Sequence, residues 1–300
     1  MKPEVLKIFQ NYLPFFSGDL AVGWMDLSSG ERCCINENRL LPTASVYKIF
    51  ILAGILRKIE EGSLQWTDKI KVTKKLLAPG SGILKLFSGG EDISISDCIY
   101  LMISISDNTA ADILFSICGE KEIDEKVLRS NSLLHTKCRT SCRDMVMSFY
   151  GIDEYAGEFD KDSYKTINPI QKDVHGYNAS YYDNYTTISD ILNFFQKVYN
   201  GQFISPWISK EIIQVLSQCE TNTRIPYYLP PEVVVSHKTG TMGRLVNDVG
   251  IIFAPKGDFI LAFLYNGNNA NHEEQGKNIK GHQSELYMAE ISKRIYSLYA

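Results

Sequence analysis

Three short strings set far apart in this chain are complementary in their chemistry: Ser45-Val46-Tyr47-Lys48, Ser106-Asp107-Asn108 and Lys238-Thr239-Gly240. The first opens a strongly apolar run that reads as a helix from 45 to about 60, stopped by Gly62. The second precedes a helical pattern over 109–118, and the third lies beside a strand-like run at 232–237. For these hydroxyls and amines to share one site, the helical middle of the chain must pack against strands from its end. That requirement constrains the fold more than any compositional figure does.

The remaining pattern agrees with it. An amphipathic helix is expected over about 3–16, then strand-like runs at 20–27 and 32–35 joined by a Ser28-Ser29-Gly30 turn. Helical signals cover 95–105, 189–199, 210–218 and 284–299. Strand-like runs at 246–254 and 258–265 flank a Pro255-Lys256-Gly257 turn. Strands at both ends with helices between imply an α/β (α+β) fold: an antiparallel sheet of N- and C-terminal strands packed against helices, plus a mostly helical lobe. With 300 residues, one unit over 1–300 is expected, with 1–42 plus 200–300 as its α/β lobe and 43–199 as the helical one. The stretch at about 151–182, rich in Asp, Gly, Tyr and Asn, has no clean period and reads as a long irregular loop.

Composition removes several function classes. A net charge of -4 supplies no basic field, so nucleic acid is not expected as a partner. No run of about 18 apolar residues is present to span a membrane. Glu4 and Lys7 interrupt the N-terminal apolar positions, which therefore read as a helix and not a signal peptide. Seven cysteines without a scaffold spacing suggest free thiols and a cytoplasmic location if the chain is complete; a trimmed leader would instead mean export. No metal and no cofactor are expected, and the protein is expected to be a monomer.

Serine needs a base before it can act as a nucleophile. Lys48, three residues along a helix from Ser45, shares its face and can reach the hydroxyl. Ser45 at the helix start is also close to unpaired N–H groups that suit an oxyanion. Lysine acts as a base only when partly neutral, and lowering its pKa from about 10.4 to 7 costs roughly 4–5 kcal/mol. Burial among Ile49-Phe50-Ile51-Leu52 and a second cation, Lys238, would supply that shift. Gly240 would let the backbone approach a ligand, with Thr239 beside it and the Thr241 amide completing the oxyanion hole. Arg224 either meets a substrate carboxylate as a bidentate donor or is a surface arginine. His237, alternating with Lys238 in a strand, should face away from it.

The three strings together resemble the motif set of class A β-lactamases and penicillin-binding proteins. The likeness extends to Pro79-Gly80-Ser81-Gly82-Ile83-Leu84, Leu101 to Ala111, Thr223-Arg224-Ile225-Pro226 and the run from Asn247 to Ile252. It implies the corresponding fold, a Ser45 acyl-enzyme, Ser106 as relay to the leaving nitrogen and Asn108 as holder of the substrate amide. Asp107 is expected to stabilise its own turn.

One piece of the β-lactamase pattern is absent. The region from about 144 to 182 contains no E-x-x-L-N string, whose glutamate activates the water that frees the acyl group. Asp144, Asp153, Glu154, Glu158, Asp160, Asp162 and Asp173 are acidic but lie in no such string. The leading expectation is a serine hydrolase acting on a small amide or ester that carries a carboxylate, with β-lactams as covalent ligands that leave slowly. A true β-lactamase with an unrecognised loop carboxylate stays open. So do a D-alanyl-D-alanine carboxypeptidase, if exported, and a sensor acylated without turnover.

Overall fold

The computed structural model describes residues 1–149, 184–267 and 281–300; the expected loop at 151–182, with its acidic residues and His175, lies outside them. Helix α1 (Lys2–Tyr12) has Pro3 in its first turn, where a missing N–H costs nothing. It ends sooner than expected: Leu13–Phe15 is a 3-10 turn, because Pro14 brings no N–H to an α-helical ladder. The chain then runs through β1 (Gly18–Asp26) into β2 (Arg32–Ile35). Asp26 holds the intervening turn, its Oδ1 accepting from the amides and hydroxyls of Ser28 and Ser29 at 2.6–3.0 Å.

Helix α2 (Lys48–Glu60) follows β3 (Leu41–Pro42) and a 3-10 turn over Ala44–Tyr47. Every residue of α2 from Lys48 to Leu56 is buried, which makes it the central helix of the molecule. β4 (Lys69–Lys71) and β5 (Asp92–Ser94) pair, and α3 (Ile95–Ser104) begins at a capping box of Ser94 and Asp97. After α4 (Asn108–Cys118) come β6 (Lys137–Cys138), α5 (Cys142–Phe149), and β7 (Asn184–Thr186), which joins β3 and β6 in a small sheet. Helix α6 (Ile188–Tyr199) is capped by Thr187 and α7 (Pro206–Leu216) by Ser205. The Ser205-Pro206 pair, an N-cap followed by a first-turn proline, starts α7 four residues before the expected 210.

β8 (Val235–Met242), β9 (Leu245–Ile252) and β10 (Phe259–Gly267) complete a five-stranded antiparallel sheet of order β2-β1-β10-β9-β8. β1 pairs with β10 from Gly18↔Gly267 to Asp26↔Phe259, so the two ends of the chain close the sheet as expected. β8 starts at 235 and not 232, because a turn from Val233 N to Pro230 O keeps the preceding residues out of the ladder. It also continues past 237, so Lys238-Thr239-Gly240 lies within the strand.

Alternation along β10 sorts two cores. Phe259, Leu261, Phe263 and Tyr265 pack with Trp24, Val5 and Phe9 under α1 and α8 (Gly281–Tyr296). Ile260, Ala262 and Leu264 face the larger core built with α2, α4 and α6. With both faces covered, no strand of the β8–β10 set shows the half-polar alternation of a solvated sheet.

Candidate active site

Ser45 does not begin the α-helix. It lies in the 3-10 turn ahead of α2, next to Ala44 at φ 42°. The turn's first bond runs from Val46 N to Thr43 O at 3.1 Å, which leaves the Ser45 N–H ahead of the ladder. In a 3-10 turn residues i and i+3 eclipse, so Ser45 and Lys48 remain on one face for a tighter reason than an α-helix gives. Ser45 is 9% exposed and Lys48 fully buried.

The Lys48 side-chain nitrogen is held by the second motif. Its Nζ donates to Ser106 O at 2.7 Å, Ser106 Oγ at 3.1 Å and Asn108 Oδ1 at 2.8 Å. Ser106 has φ 58°, a left-handed conformation that is strained for a residue with a side chain. Asp107 stabilises the turn as expected: Oδ1 caps α4 through Ala110 N at 3.0 Å. Its Oδ2 accepts from Ile83 N at 2.6 Å and Leu84 N at 2.9 Å. Asn108 Nδ2 donates to Pro79 O at 2.6 Å, so the turn at 79–84 and the Ser-Asp-Asn string form one unit. Gly82 is required there, since a Cβ would fall 2.2 Å from the Asp107 carboxylate.

The third motif comes from β8. Lys238 is fully buried and donates to Thr239 O at 2.9 Å. Burial lowers its pKa to about 8; Lys48 and Arg224 push the same way, while Cys219 and Asp248 oppose them. Thr239 is 4% exposed and Thr241 exposed. Gly240 was expected to admit a ligand, but its open side faces protein backbone. A Cβ there would meet Thr43 O at 2.5 Å and the Ser45 and Val46 nitrogens at 3.1 Å. The glycine sets how closely β8 approaches the nucleophile's turn.

Arg224 is neither a surface arginine nor a free bidentate donor. It is 1% exposed, and all five of its N–H groups are directed at protein acceptors. Nε and Nη2 donate to Glu285 Oε1, Nη1 to Gly240 O and Asn247 O, and Nη2 also to Thr241 Oγ1. Its role is to hold the β8–β9 pair in shape. His237 faces away from Lys238 as expected, with Nδ1 2.8 Å from Asp248 Oδ1.

Several positioning residues carry no motif. Asn247 Nδ2 donates to Pro42 O at 3.0 Å and Thr43 O at 2.9 Å, tying the Ser45 turn to the sheet. Asn184 O accepts from Thr43 N at 3.1 Å. Tyr47 OH lies 3.0 Å from Cys142 Sγ, and the thiol also faces Lys48. Asp112 is raised by burial to about 6, against the backbone N–H groups of Arg143 and Cys142 that it caps at 2.8 and 2.6 Å. Asp144 N donates to Ser141 Oγ at 3.0 Å, so Ser141 caps α5, and the same hydroxyl donates to Asp144 Oδ2 at 2.7 Å. Only the strand register of Asn247 was legible in sequence; the others depend on contacts between distant segments.

The profile of the β-lactamase enzyme family matches residues 4–299, and the chain belongs to that family. It is a serine hydrolase of the β-lactamase type. Among curated relatives, Beta-lactamase VEB-1 of Pseudomonas aeruginosa is 25% identical over 271 residues, covering 87% of this chain and 81% of the relative. Extended-spectrum beta-lactamase PER-1 of the same organism is 25% identical over 280 residues, covering 88% and 80%. The solved PBP-A structure superposes with a TM-score of 0.76 at 20% identity, over 100% of this chain and 96% of that one. A PBP-A variant solved as an acyl-enzyme complex with penicillin G gives 0.76 at 19%, over 100% and 97%. Among the described residues, no helix is long and apolar enough to cross a membrane.

Proposed function

We propose that Ser45 is acylated by a small amide or ester carrying a carboxylate, β-lactams included, and that the acyl group leaves slowly. The observation carrying this reading is the cluster in which Lys48 Nζ, three residues on from Ser45, meets Ser106 and Asn108. In the reaction, Ser45 Oγ adds to the carbonyl carbon and its proton passes to the Lys48 amine. Collapse breaks the bond from carbonyl carbon to nitrogen or oxygen, and the leaving atom takes a proton relayed through Ser106 Oγ. Ser45 N and Thr241 N serve the oxyanion. Lys238 offers its charge to the substrate carboxylate, a role that Arg224, saturated by protein acceptors, does not fill.

Slow release rests on the lack of an E-x-x-L-N string in the sequence and on what, among the described residues, faces Lys48 from α5. The group there is the Cys142 thiol, which burial pushes up to about 12 and which is therefore no base near neutrality. A positioned general base contributes about 10²–10⁴ in rate. The test is steady-state nitrocefin and benzylpenicillin hydrolysis followed by intact-mass analysis. One equivalent consumed, with a lasting adduct on Ser45, is expected. Turnover at about 10 per second or more, an ordinary enzymatic rate, overturns slow release. No adduct from penicillins, esters or fluorophosphonates overturns the nucleophile.

A further inference from the structure

The chain carries a net charge of -4, yet from Lys69 to Gly90 it has five lysines and no carboxylate. Lys69, Lys71, Lys74 and Lys75 are exposed and Lys85 is half-buried. Asp92 stands opposite Lys71 in the β4–β5 pair and offsets it, and Asp68 and Glu91 flank the run. The fold gathers the later lysines. Lys74 and Lys75 lie in a 3-10 turn over Lys74–Leu76 and Lys85 in another over Leu84–Leu86, and both turns pack on α4. Lys74 also lies against the turn that follows Phe87, since a Cβ on Gly89 would fall 3.3 Å from its Cγ. Arg143 Nη1 donates to Lys75 O at 2.8 Å and brings a further cation to the same place.

Apolar side chains share this surface. Ile83, Leu86 and Phe87 are 46%, 62% and 40% exposed, and neither hydrophobic core takes them up. Single exposed apolar residues are ordinary on any surface, but three large ones so close together are a patch. The backbone beneath them is fixed: Ile83 N and Leu84 N donate to Asp107 Oδ2, Leu86 N to Ile83 O at 2.9 Å and Phe87 N to Leu84 O at 3.0 Å. Since Asp107 lies between Ser106 and Asn108, the patch borders the active site. Lysines around an exposed apolar tip match both parts of an anionic bilayer surface, its headgroup phosphates and the acyl boundary beneath them. A nucleic acid would meet the charge and leave Leu86 and Phe87 in water.

We propose that this face, with Lys74, Lys75, Lys85 and Arg143 around Leu86 and Phe87, docks the protein on an anionic lipid bilayer. Leu86 and Phe87 enter the headgroup boundary while the cations lie over the lipid phosphates. The association is peripheral and reversible, because a few cations and two or three apolar side chains carry it. Each lysine near such a surface is worth about fivefold in affinity, and salt screens that attraction beyond about 10 Å at 0.1 M. The net negative charge of the rest of the chain opposes every other orientation, so docking keeps the Asp107 edge of the active site close to the lipid.

The test is vesicle co-sedimentation of the intact protein, and it does not depend on Ser45. With vesicles of phosphatidylcholine and about 30% phosphatidylglycerol at about 50 mM salt, the protein should pellet, and about 500 mM salt should release most of it. Vesicles of phosphatidylcholine alone should bind at least about tenfold more weakly. A Leu86→Ser, Phe87→Ser double variant and a Lys75→Glu variant should each weaken binding by about fivefold or more, with fluorophosphonate labelling of Ser45 in solution unchanged. If the double variant fails to fold, Leu86→Ser alone replaces it. No pelleting with the anionic vesicles, equal pelleting with the neutral ones, or binding untouched by the Leu86 and Phe87 substitutions overturns the proposal. So does self-association of the wild type without lipid, seen by sedimentation velocity and lost in the same variant, because a second copy would then cover this face.

Discussion

Replacing Gly240 with alanine tests the geometry of the site through a single methyl group. The added carbon would lie 2.5 Å from Thr43 O, against an ordinary non-bonded separation of about 3.5 Å, so the two backbones must part by about 1 Å. Neither side is free to move. Gly240 pairs with Asn247 in the β8–β9 ladder, and its carbonyl accepts from Arg224 Nη1 at 3.3 Å. Thr43 O is held at 2.9 Å by Asn247 Nδ2, so the clash pulls on both ends of one asparagine. Overpacking of this kind costs about 1–3 kcal/mol of stability. The larger effect should be kinetic, because Ser45 N is itself 3.1 Å from the new carbon, and a displacement of about 1 Å near a reacting group costs about 10²-fold in rate. The assay is the second-order rate of Ser45 labelling by a fluorophosphonate, beside thermal unfolding of the same variant. A Gly240→Ala protein that labels within twofold of wild type at unchanged Tm would refute the reasoning, and with it the assignment of Gly240 as the spacer between β8 and the nucleophile.

The remaining predictions concern the charged groups and the nucleophile. Ser45→Ala should abolish covalent labelling with no loss of folded structure, read by intact mass and circular dichroism. Lys48→Ala should lower the acylation rate by at least about 10²-fold, and Lys48→Arg should not restore it, because arginine does not deprotonate in proteins. Acylation by a carboxylate-bearing substrate should decline as pH rises through about 8, where Lys238 loses its charge, whereas a neutral ester should show a weaker decline. Asp26→Asn should cost about 1–3 kcal/mol in urea unfolding, by leaving donors of Ser28, Ser29 or Tyr299 without an anionic acceptor. Burial alone would raise the Asp26 carboxyl, but Ser28, Ser29 and Tyr299 hold it well below the carboxylate range. Its contribution is therefore complete above the unfolded value of about 3.9 and lost as pH falls below that, a loss the Asn variant should not show.

What the sequence determined by itself was whatever a few neighbouring residues decide. The apolar run after Lys48, the Ser-Asp-Asn start of α4 and the alternation in β10 each carry a local signal, and each element formed close to its expected bounds. The chemistry of the site was legible for the same reason: nucleophile, amines and amide lie in short strings whose residue types suit one reaction. Where the reading missed an end, a local signal had been passed over, as with Pro14 after α1 and Ser205-Pro206 before α7. Only the tertiary structure decided how the strings meet. Asn247 grips carbonyls 204 and 205 residues away in sequence, and nothing in its own neighbourhood announces that bond. Arg224 looked available to substrate because sequence shows a charge without its partners; Glu285, 61 residues on, and the carbonyls of β8 and β9 consume it. Gly240 looked like room for a ligand and is instead contact between two backbones. Local propensity acts within a turn or two, whereas the position of a buried donor is fixed by packing of segments that are neighbours only once the chain has folded.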